Sequence, residues 1–245
     1  MNLEVLTNAD ELAARAAEII LAQSRAVVSQ RGNFTIALSG GATPKRLYEL
    51  LSNPAREFYA QLPWSAIQFF WTDERHVGPE NSDNNFHMTY EAMLGRVPVP
   101  KENVHRIPAE DANAAKVAGE YERILVEFFE LSAGSAPRFD LILLGMGNDG
   151  HTASLFPGTE VLNERTRLVA APWVEKLNGY RFTMTLPVLN NAATVVFLVC
   201  GEEKSGILKE VLEGPPDQYP AQAIKPATGQ LTWLIDRAAA SKLKS

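Results

Sequence analysis

Short apolar runs, each about the length of one buried β-strand, recur along the chain and alternate with segments of helical character. Their near-continuous apolar character is typical of strands that are covered on both faces, as in a parallel sheet. The five clearest runs occupy residues 34–38, 67–71, 141–144, 194–200 and 232–235. Because strands and helices alternate from end to end, the sequence predicts one α/β domain over residues 1–245. We expect a doubly wound, mainly parallel, Rossmann-like sheet with helices on both faces.

Less regular segments complete this prediction. Further strands are expected at residues 3–6, 167–171 and 181–186, and the polar–apolar alternation of the last one favours antiparallel pairing at one side of the sheet. Amphipathic helices are expected at residues 82–94 and 111–131.

Composition and charge narrow the class of protein. No apolar run approaches the roughly 18 residues of a membrane span, and the N-terminus lacks the basic and apolar blocks of a signal peptide. The single cysteine, Cys200, excludes an internal disulfide and fits a reducing cytoplasm, and we expect it to be a small core residue. With 23 Lys and Arg against 29 Asp and Glu, the net charge of −6 argues against nucleic acid as a partner. The sequence therefore predicts a cytoplasmic protein without a membrane or nucleic-acid partner.

A glycine-rich turn follows the apolar run at 141–144 and carries both Asp149 and His151. Its glycines allow positive φ angles and a close approach of backbone to a ligand. Open α/β sheets bind their ligands at the carboxyl ends of strands, which is where this turn lies. A short helix is expected to begin at His151. The alternative interpretation is an ordinary strand-to-helix turn with a helix-initiating aspartate.

A second turn, SGGATP at residues 39–44, has the character of a phosphate-binding loop. Thr43 is expected to cap the following helix, and Pro44 suits its first turn. Backbone N–H groups at Gly40 and Gly41 would face an anion, which the helix N-terminus also favours. The turn matches neither the Walker A pattern nor the dinucleotide fingerprint. The alternative is a capped turn that binds nothing.

Charged side chains follow two other strands. Asp73, Glu74, Arg75 and His76 come after the strand at 67–71. A carboxylate there suits sugar hydroxyls, and an arginine suits a phosphate or a developing oxyanion. The alternative is a solvated turn with internal ion pairs.

Lys204 is expected in the first turn of the helix that follows the strand at 194–200. A cation in that position opposes the helix dipole, which favours a role with an anionic ligand. The alternative is a flexible surface lysine.

The carboxyl ends of parallel strands meet at one edge, so these four segments are expected to converge. They lack a nucleophile paired with the histidine, since Ser154 stands in no G-x-S-x-G elbow. The four histidines lack metal-ligand spacing. The chemistry that fits is a histidine base that activates water toward an ester-like carbonyl of a phosphorylated substrate.

Four motifs in order make the chain resemble the 6-phosphogluconolactonase family over nearly its whole length. They are SGGATP at 39–44, DERHV at 73–77, SDNNF at 82–86 and GMGNDGHTASLFP at 145–157. The resemblance implies hydrolysis of 6-phospho-D-glucono-1,5-lactone to 6-phosphogluconate, the second step of the oxidative pentose phosphate pathway. It implies a small phosphorylated sugar lactone as the ligand. The mechanism needs no metal or organic cofactor, and we expect a monomer or small homo-oligomer.

The resemblance also implies roles for individual residues. It places the catalytic base on His151 and the active-site arginine on Arg75. Arg181 matches a further family position to which no role is assigned. The sugar- and phosphate-binding positions fall on Gly40, Gly41, Thr43, Asp73 and Lys204.

The hypothetical mechanism leaves two choices open. The oxyanion formed at C1 would be stabilised by Arg75 or by a backbone N–H near Gly147. Asp149 would either hold the imidazole of His151 or bind substrate hydroxyls. Whether His76 enters the site is also open.

Two other functions need separate tests. Glucosamine-6-phosphate deaminases share the SGG and DGH elements, but they carry DEY where this chain has DER, and a glutamate where it has Phe156. Both differences favour the lactonase. A sugar-phosphate-binding regulator would carry an additional DNA-binding unit, yet the first strand-like run begins at Leu3 and the chain has no basic recognition helix.

Overall fold

A computed structural model describes residues 1–244 of the chain. Ten strands are found in this range: β1 Asn2–Leu6, β2 Phe34–Leu38, β3 Ile67–Trp71, β4 Asp73–Arg75, β5 Leu141–Leu144, β6 Val169–Ala170, β7 Trp173–Val174, β8 Gly179–Met184, β9 Thr194–Val199 and β10 Gln230–Asp236. The α-helices within it are α1 Ala9–Arg31, α2 Ala42–Leu51, α3 Glu57–Gln61, α4 Asn85–Ala92, α5 Ala114–Phe128, α6 Leu186–Leu189 and α7 Ser205–Glu213. Within residues 1–244, no helix combines the length and the apolar character that a membrane span requires.

The main sheet has six strands in the order β1-β10-β9-β5-β2-β3, and all neighbouring pairs are parallel. Every residue of β2, β5 and β9 is buried. Because alternate side chains of a strand point to opposite faces, both faces of the sheet are covered. The predicted doubly wound fold is therefore confirmed. From β2 the chain proceeds to β3 on one side and later to β5 on the other, so the switch point of the strand order lies between β2 and β5.

A small antiparallel sheet, β4-β8-β6 with β7 added to β8, lies beside the main sheet. The sequence indicated antiparallel pairing near 181–186, but it predicted no strand at residues 73–75. They form β4 instead, since only Thr72 separates them from β3. Thr72 N donates to Leu38 O at 2.9 Å, and Thr72 O accepts from Met184 N at 2.8 Å. Thr72 thus joins the two sheets at the carboxyl edge of β2 and β3.

Two expected helix starts are wrong. The N-cap of α2 is Gly41, with φ at +107°, and Thr43 lies inside the helix. No helix begins at His151, because its carbonyl accepts a hydrogen bond from Gly147 N at 2.8 Å and the turn folds back on itself. The next helical segment is a 3-10 turn at Glu160–Asn163.

Helices α4 and α5 begin later than predicted because asparagine side chains cap them after the expected starts. The side chain of Asn84 accepts from His87 N, and that of Asn113 accepts from Lys116 N. These caps satisfy backbone donors that the first helical turn leaves free.

Candidate active site

A cavity of about 390 Å³ lies at the carboxyl ends of β2, β5 and β9, next to the switch point. All four strand-end segments contribute to its wall, as the parallel topology requires. Of the residues singled out in the sequence, the wall contains Gly40, Gly41, Thr43, Asp73, Arg75, Gly147, His151 and Lys204. Asp149 and Arg181 lie outside this wall, but Asp149 contacts His151 in it, and Arg181 is opposite Arg75.

The loop after β2 requires its glycines for two different reasons. A Cβ on Gly40 would lie 1.8 Å from Oδ1 of Asn85, so any side chain there would displace Asn85. Gly41 has a positive φ as the N-cap of α2 and provides no side-chain cap. The first backbone N–H groups of α2 therefore lack a capping side chain at the cavity. Ser39, also in the wall, has a buried hydroxyl with no hydrogen-bond partner within residues 1–244.

Asp73 is held in place by contacts from two other segments. Its Oδ2 accepts from Ser154 Oγ at 2.7 Å, and its backbone oxygen accepts from Asn85 Nδ2 at 2.9 Å. The carboxylate remains part of the cavity wall. Ser154 and Asn85 were not predicted as site residues, although both lie within the motifs GMGNDGHTASLFP and SDNNF.

Glu74 has a structural role beside the cavity. It is buried and accepts hydrogen bonds from the backbone N–H groups of Arg75, Asn85 and Phe86 at 2.8, 2.7 and 2.9 Å. Burial raises the pKa of Glu74 to about 7, although these hydrogen bonds oppose the shift. The side chain thereby ties β4 to the N-terminus of α4.

Arg75 and Arg181 are directly opposite each other on β4 and β8. Opposed residues of antiparallel strands share a face, so the two guanidinium groups are neighbours. Arg75 Nη1 donates to Asp83 O at 2.5 Å. Burial lowers the pKa of Arg181, and the charge of Arg75 acts in the same direction. Arg181 lines an adjacent groove that Arg75 also borders, so Arg75 is the member of the pair in the cavity wall.

His76 belongs to that adjacent groove and not to the cavity wall. Its Nε2 lies 2.7 Å from Asp111 O, and its ring packs edge-on against Phe182 at 5.1 Å between centroids. These contacts hold the ring away from the site.

His151 is oriented by Asp149. Its Nδ1 lies 2.5 Å from Asp149 Oδ1, which also accepts from the His151 backbone N–H at 3.2 Å. Burial by itself would raise the pKa of Asp149, but hydrogen bonds from Lys176 and His151 hold it well below its usual range. An ionised carboxylate only accepts hydrogen bonds, so Nδ1 bears the proton and the lone pair of the neutral ring is on Nε2. Of the two roles left open, the geometry favours Asp149 as the support of the imidazole.

Gly147 has a packing role that differs from the one expected. A Cβ at this position would lie 2.0 Å from His151 Nδ1, so only glycine allows the imidazole to occupy its place. The N–H of Gly147 itself donates to His151 O. The choice of oxyanion donor stays a prediction, between Arg75 and another backbone N–H near Gly147.

Lys204 lies one residue before α7, at the end of the 3-10 turn Glu202–Lys204, and not inside the helix as predicted. Burial lowers its pKa, and it lines the cavity together with Glu203. Cys200 was expected in the core but is half-buried in the same wall. Burial raises the pKa of its thiol to about 12, so the thiol stays protonated and is a poor nucleophile.

Phe156 packs against the turn that carries His151. Its ring centroid is 4.2 Å from that of His151, and Lys176 Nζ lies 4.6 Å from the same centroid. The phenylalanine thus occupies the space beside the imidazole with an apolar group.

The potential metal ligands are dispersed. His76, His105 and His151 contact Asp111 O, Gln68 and Asp149, respectively. Nowhere in residues 1–244 do three or more His, Cys, Asp or Glu side chains gather in a way that could hold a metal ion.

The sequence and the fold both have clear relatives. Residues 7–233 match the model of the family described as glucosamine-6-phosphate isomerases/6-phosphogluconolactonase. The chain belongs to this family. Its sequence is 43% identical to the 6-phosphogluconolactonase of Nostoc sp. over 243 residues, which cover 98% of each chain. It is also 43% identical to the 6-phosphogluconolactonase of Synechocystis sp. over 244 residues, or 99% of this chain and 98% of the relative. The crystal structure of the devB protein superposes with a TM-score of 0.90 at 32% identity and covers 99% of both chains.

Proposed function

We propose that this member of the family is a 6-phosphogluconolactonase, which hydrolyses 6-phospho-D-glucono-1,5-lactone to 6-phospho-D-gluconate in the oxidative pentose phosphate pathway. The observation that carries the proposal is His151, whose Nδ1 is held by Asp149 at the wall of a cavity that also contains Arg75 and Lys204. The two cyanobacterial relatives, both named 6-phosphogluconolactonase, support it.

The 6-phosphate binds at the loop after β2. Gly40, Gly41 and Thr43 line the cavity at the start of α2, where the helix dipole and backbone N–H groups favour an anion. Lys204 neutralises the phosphate charge from the opposite wall. Asp73, fixed by Ser154, accepts hydrogen bonds from sugar hydroxyls. Arg181 adds positive potential from behind Arg75.

The reaction then needs one base and one oxyanion donor. Nε2 of neutral His151 takes a proton from water as the water oxygen attacks C1. Arg75 stabilises the negative charge that develops on the carbonyl oxygen. When the tetrahedral intermediate collapses, the bond from C1 to the ring oxygen breaks and His151 returns its proton to that oxygen. Asp149 stabilises the transient imidazolium.

Phe156 argues against the deaminase function. Its apolar ring contacts the imidazole of His151 at 4.2 Å. A benzyl side chain cannot transfer the protons that ring opening and release of an amino group require. Arg75 next to the cavity instead suits charge stabilisation at a carbonyl.

The decisive experiment compares two reactions of the same preparation. Lactone hydrolysis is measured above its spontaneous background, and ammonia release is measured from glucosamine 6-phosphate. We expect the first activity alone. Ammonia release without lactonase activity would overturn the proposal in favour of the deaminase, and ligand binding without either turnover would favour a regulator.

We expect the chain to form one domain over residues 1–245 and to work in the cytoplasm. It is expected to be a monomer or small homo-oligomer without a nucleic-acid partner. The net charge of −6 supports the last point. Sedimentation or size-exclusion measurements would give the mass of the species in solution.

A further inference from the structure

Lys176 joins the candidate site from a part of the chain that no motif covers. It lies in the 3-10 turn Glu175–Leu177, between β7 and β8. Its Nζ contacts Oδ2 of Asp149, while Oδ1 of the same carboxylate lies 2.5 Å from Nδ1 of His151. One carboxylate is therefore shared between a lysine cation and the imidazole, one oxygen for each.

A second contact fixes the same lysine. Its Nζ lies 4.6 Å from the ring centroid of Phe156, within the range of a cation–π interaction. The ring of Phe156 is buried and packs against His151. Lys176 is thus held by two groups, and both of them touch the imidazole.

We infer that Lys176 is a positioning residue of the lactonase reaction: it holds the Asp149 carboxylate against the imidazole, and its positive charge offsets the carboxylate charge beside His151. The inference rests on the proposed function. Without Lys176, the full negative charge of Asp149 would act on the imidazole and stabilise its protonated form, which cannot act as a base.

Other charged groups also line the cavity. Within residues 1–244, Lys176 is the only Lys or Arg whose side chain forms an ion pair with the Asp149 carboxylate. Four such groups share the cavity wall with the imidazole: Asp73, Arg75, Glu203 and Lys204.

The expected effect is moderate because the lysine is partly solvated. Its side chain is 51% exposed, and solvent screens an ion pair of that exposure. The lysine charge lies several ångströms from the imidazole, in a dielectric between those of protein and water. Its loss should therefore move the acid limb of the pH profile by about 0.5–1 unit. Lys176→Met keeps most of the aliphatic stem and removes the charge.

The test is the pH dependence of kcat/KM for lactone hydrolysis between pH 5 and 8. In Lys176→Met the acid limb should move to higher pH by about 0.5–1 unit, and Lys176→Arg should restore it. Lys116→Met is the matched control, because Lys116 forms an ion pair with Asp111 outside the cavity wall. The side chains of Lys116 and Asp111 are 64% and 32% exposed, and those of Lys176 and Asp149 are 51% and 33% exposed. The control should leave the limb unchanged.

Two results would overturn the inference. One is an acid limb that does not move in Lys176→Met. A fall in activity without such a shift is what a merely structural role predicts. The other is an equal shift in Lys116→Met, which would indicate a general effect of net charge.

An NMR titration of the His151 Cε1–H resonance, assigned with His151→Gln, gives a readout that does not need turnover. Its midpoint should rise by about 0.5–1 unit in Lys176→Met. An unmoved midpoint would overturn the inference. If the wild type shows no lactonase activity while this midpoint shifts, the proposed function fails but the coupling between Lys176 and His151 stands.

Discussion

Oδ2 of Asp73 and Oγ of Ser154 lie 2.7 Å apart, although 81 residues separate them in the chain. This hydrogen bond joins β4 of the small sheet to the segment that follows His151. It fixes the turn that carries His151 against the wall that carries Asp73 and Arg75. A tertiary contact thus links the segment of the proposed base to the strand of the proposed oxyanion donor.

His151→Gln should lower kcat by about 10²–10⁴-fold, the usual contribution of a general base. Substrate should still bind, because the glutamine leaves the phosphate loop and Lys204 in place. Steady-state kinetics and titration with the product 6-phosphogluconate measure the two effects. His87→Gln, on α4 and outside the cavity wall, should remain fully active. Full activity of His151→Gln would refute the assignment of the base.

Gly147→Ala should lower kcat at least 10-fold, since a Cβ 2.0 Å from Nδ1 must displace the imidazole and misplacement of about 1 Å costs about 10²-fold. Gly78→Ala is the control, because nothing lies within 4 Å of its added Cβ. The two variants are compared by kcat and by thermal unfolding. Normal kcat in Gly147→Ala would show that the ring can occupy another productive position.

Lys204→Ala should raise KM for the phosphorylated lactone by about 10- to 100-fold, the worth of a charge-assisted hydrogen bond. The effect on unphosphorylated gluconolactone should be small, because that substrate lacks the anion. Lys209→Ala, further along α7, is the control. An equal loss with both lactones would contradict the assignment of Lys204 to the phosphate.

Glu74 should make the free energy of unfolding depend on pH. Its pKa is raised to about 7 in the folded protein from an ordinary value of 4.5, so the unfolded state loses this proton first as the pH rises. The contribution of Glu74 to the free energy of unfolding is complete below pH 4.5 and is lost as the pH rises through 7. The loss amounts to about 3 kcal/mol. Denaturant unfolding at pH 5 and pH 8 measures the difference.

Glu74→Gln should remove this part of the pH dependence. It should also cost about 1–3 kcal/mol, because an amide cannot accept from all three backbone N–H groups with its single oxygen. Glu91→Gln, exposed on the neighbouring helix α4, is the control and should keep the wild-type slope. An unchanged slope in Glu74→Gln would show that another group titrates.

Local sequence was sufficient where one residue type or one short run decides the conformation. The runs at 34–38 and 141–144 could be predicted as buried strands because a strand that is covered on both faces is apolar along nearly its whole length. Helix boundaries were less predictable. The N-cap of α2 lies at Gly41 and not at Thr43, since the choice between two adequate caps depends on the whole turn.

By itself, the sequence determined the α/β class, the four strand-end segments and the histidine to which the base is assigned. It did so because parallel strands place their carboxyl ends at one edge whatever the details of packing. Only the tertiary structure decided which groups complete the site. Residues 73–75 form a strand because they pair with β8. The Gly147 N–H donates to His151 O, and Lys176 contacts Asp149, which lies 27 residues earlier in the chain. Such contacts join distant segments through side-chain geometry, which neither periodicity nor local propensity encodes.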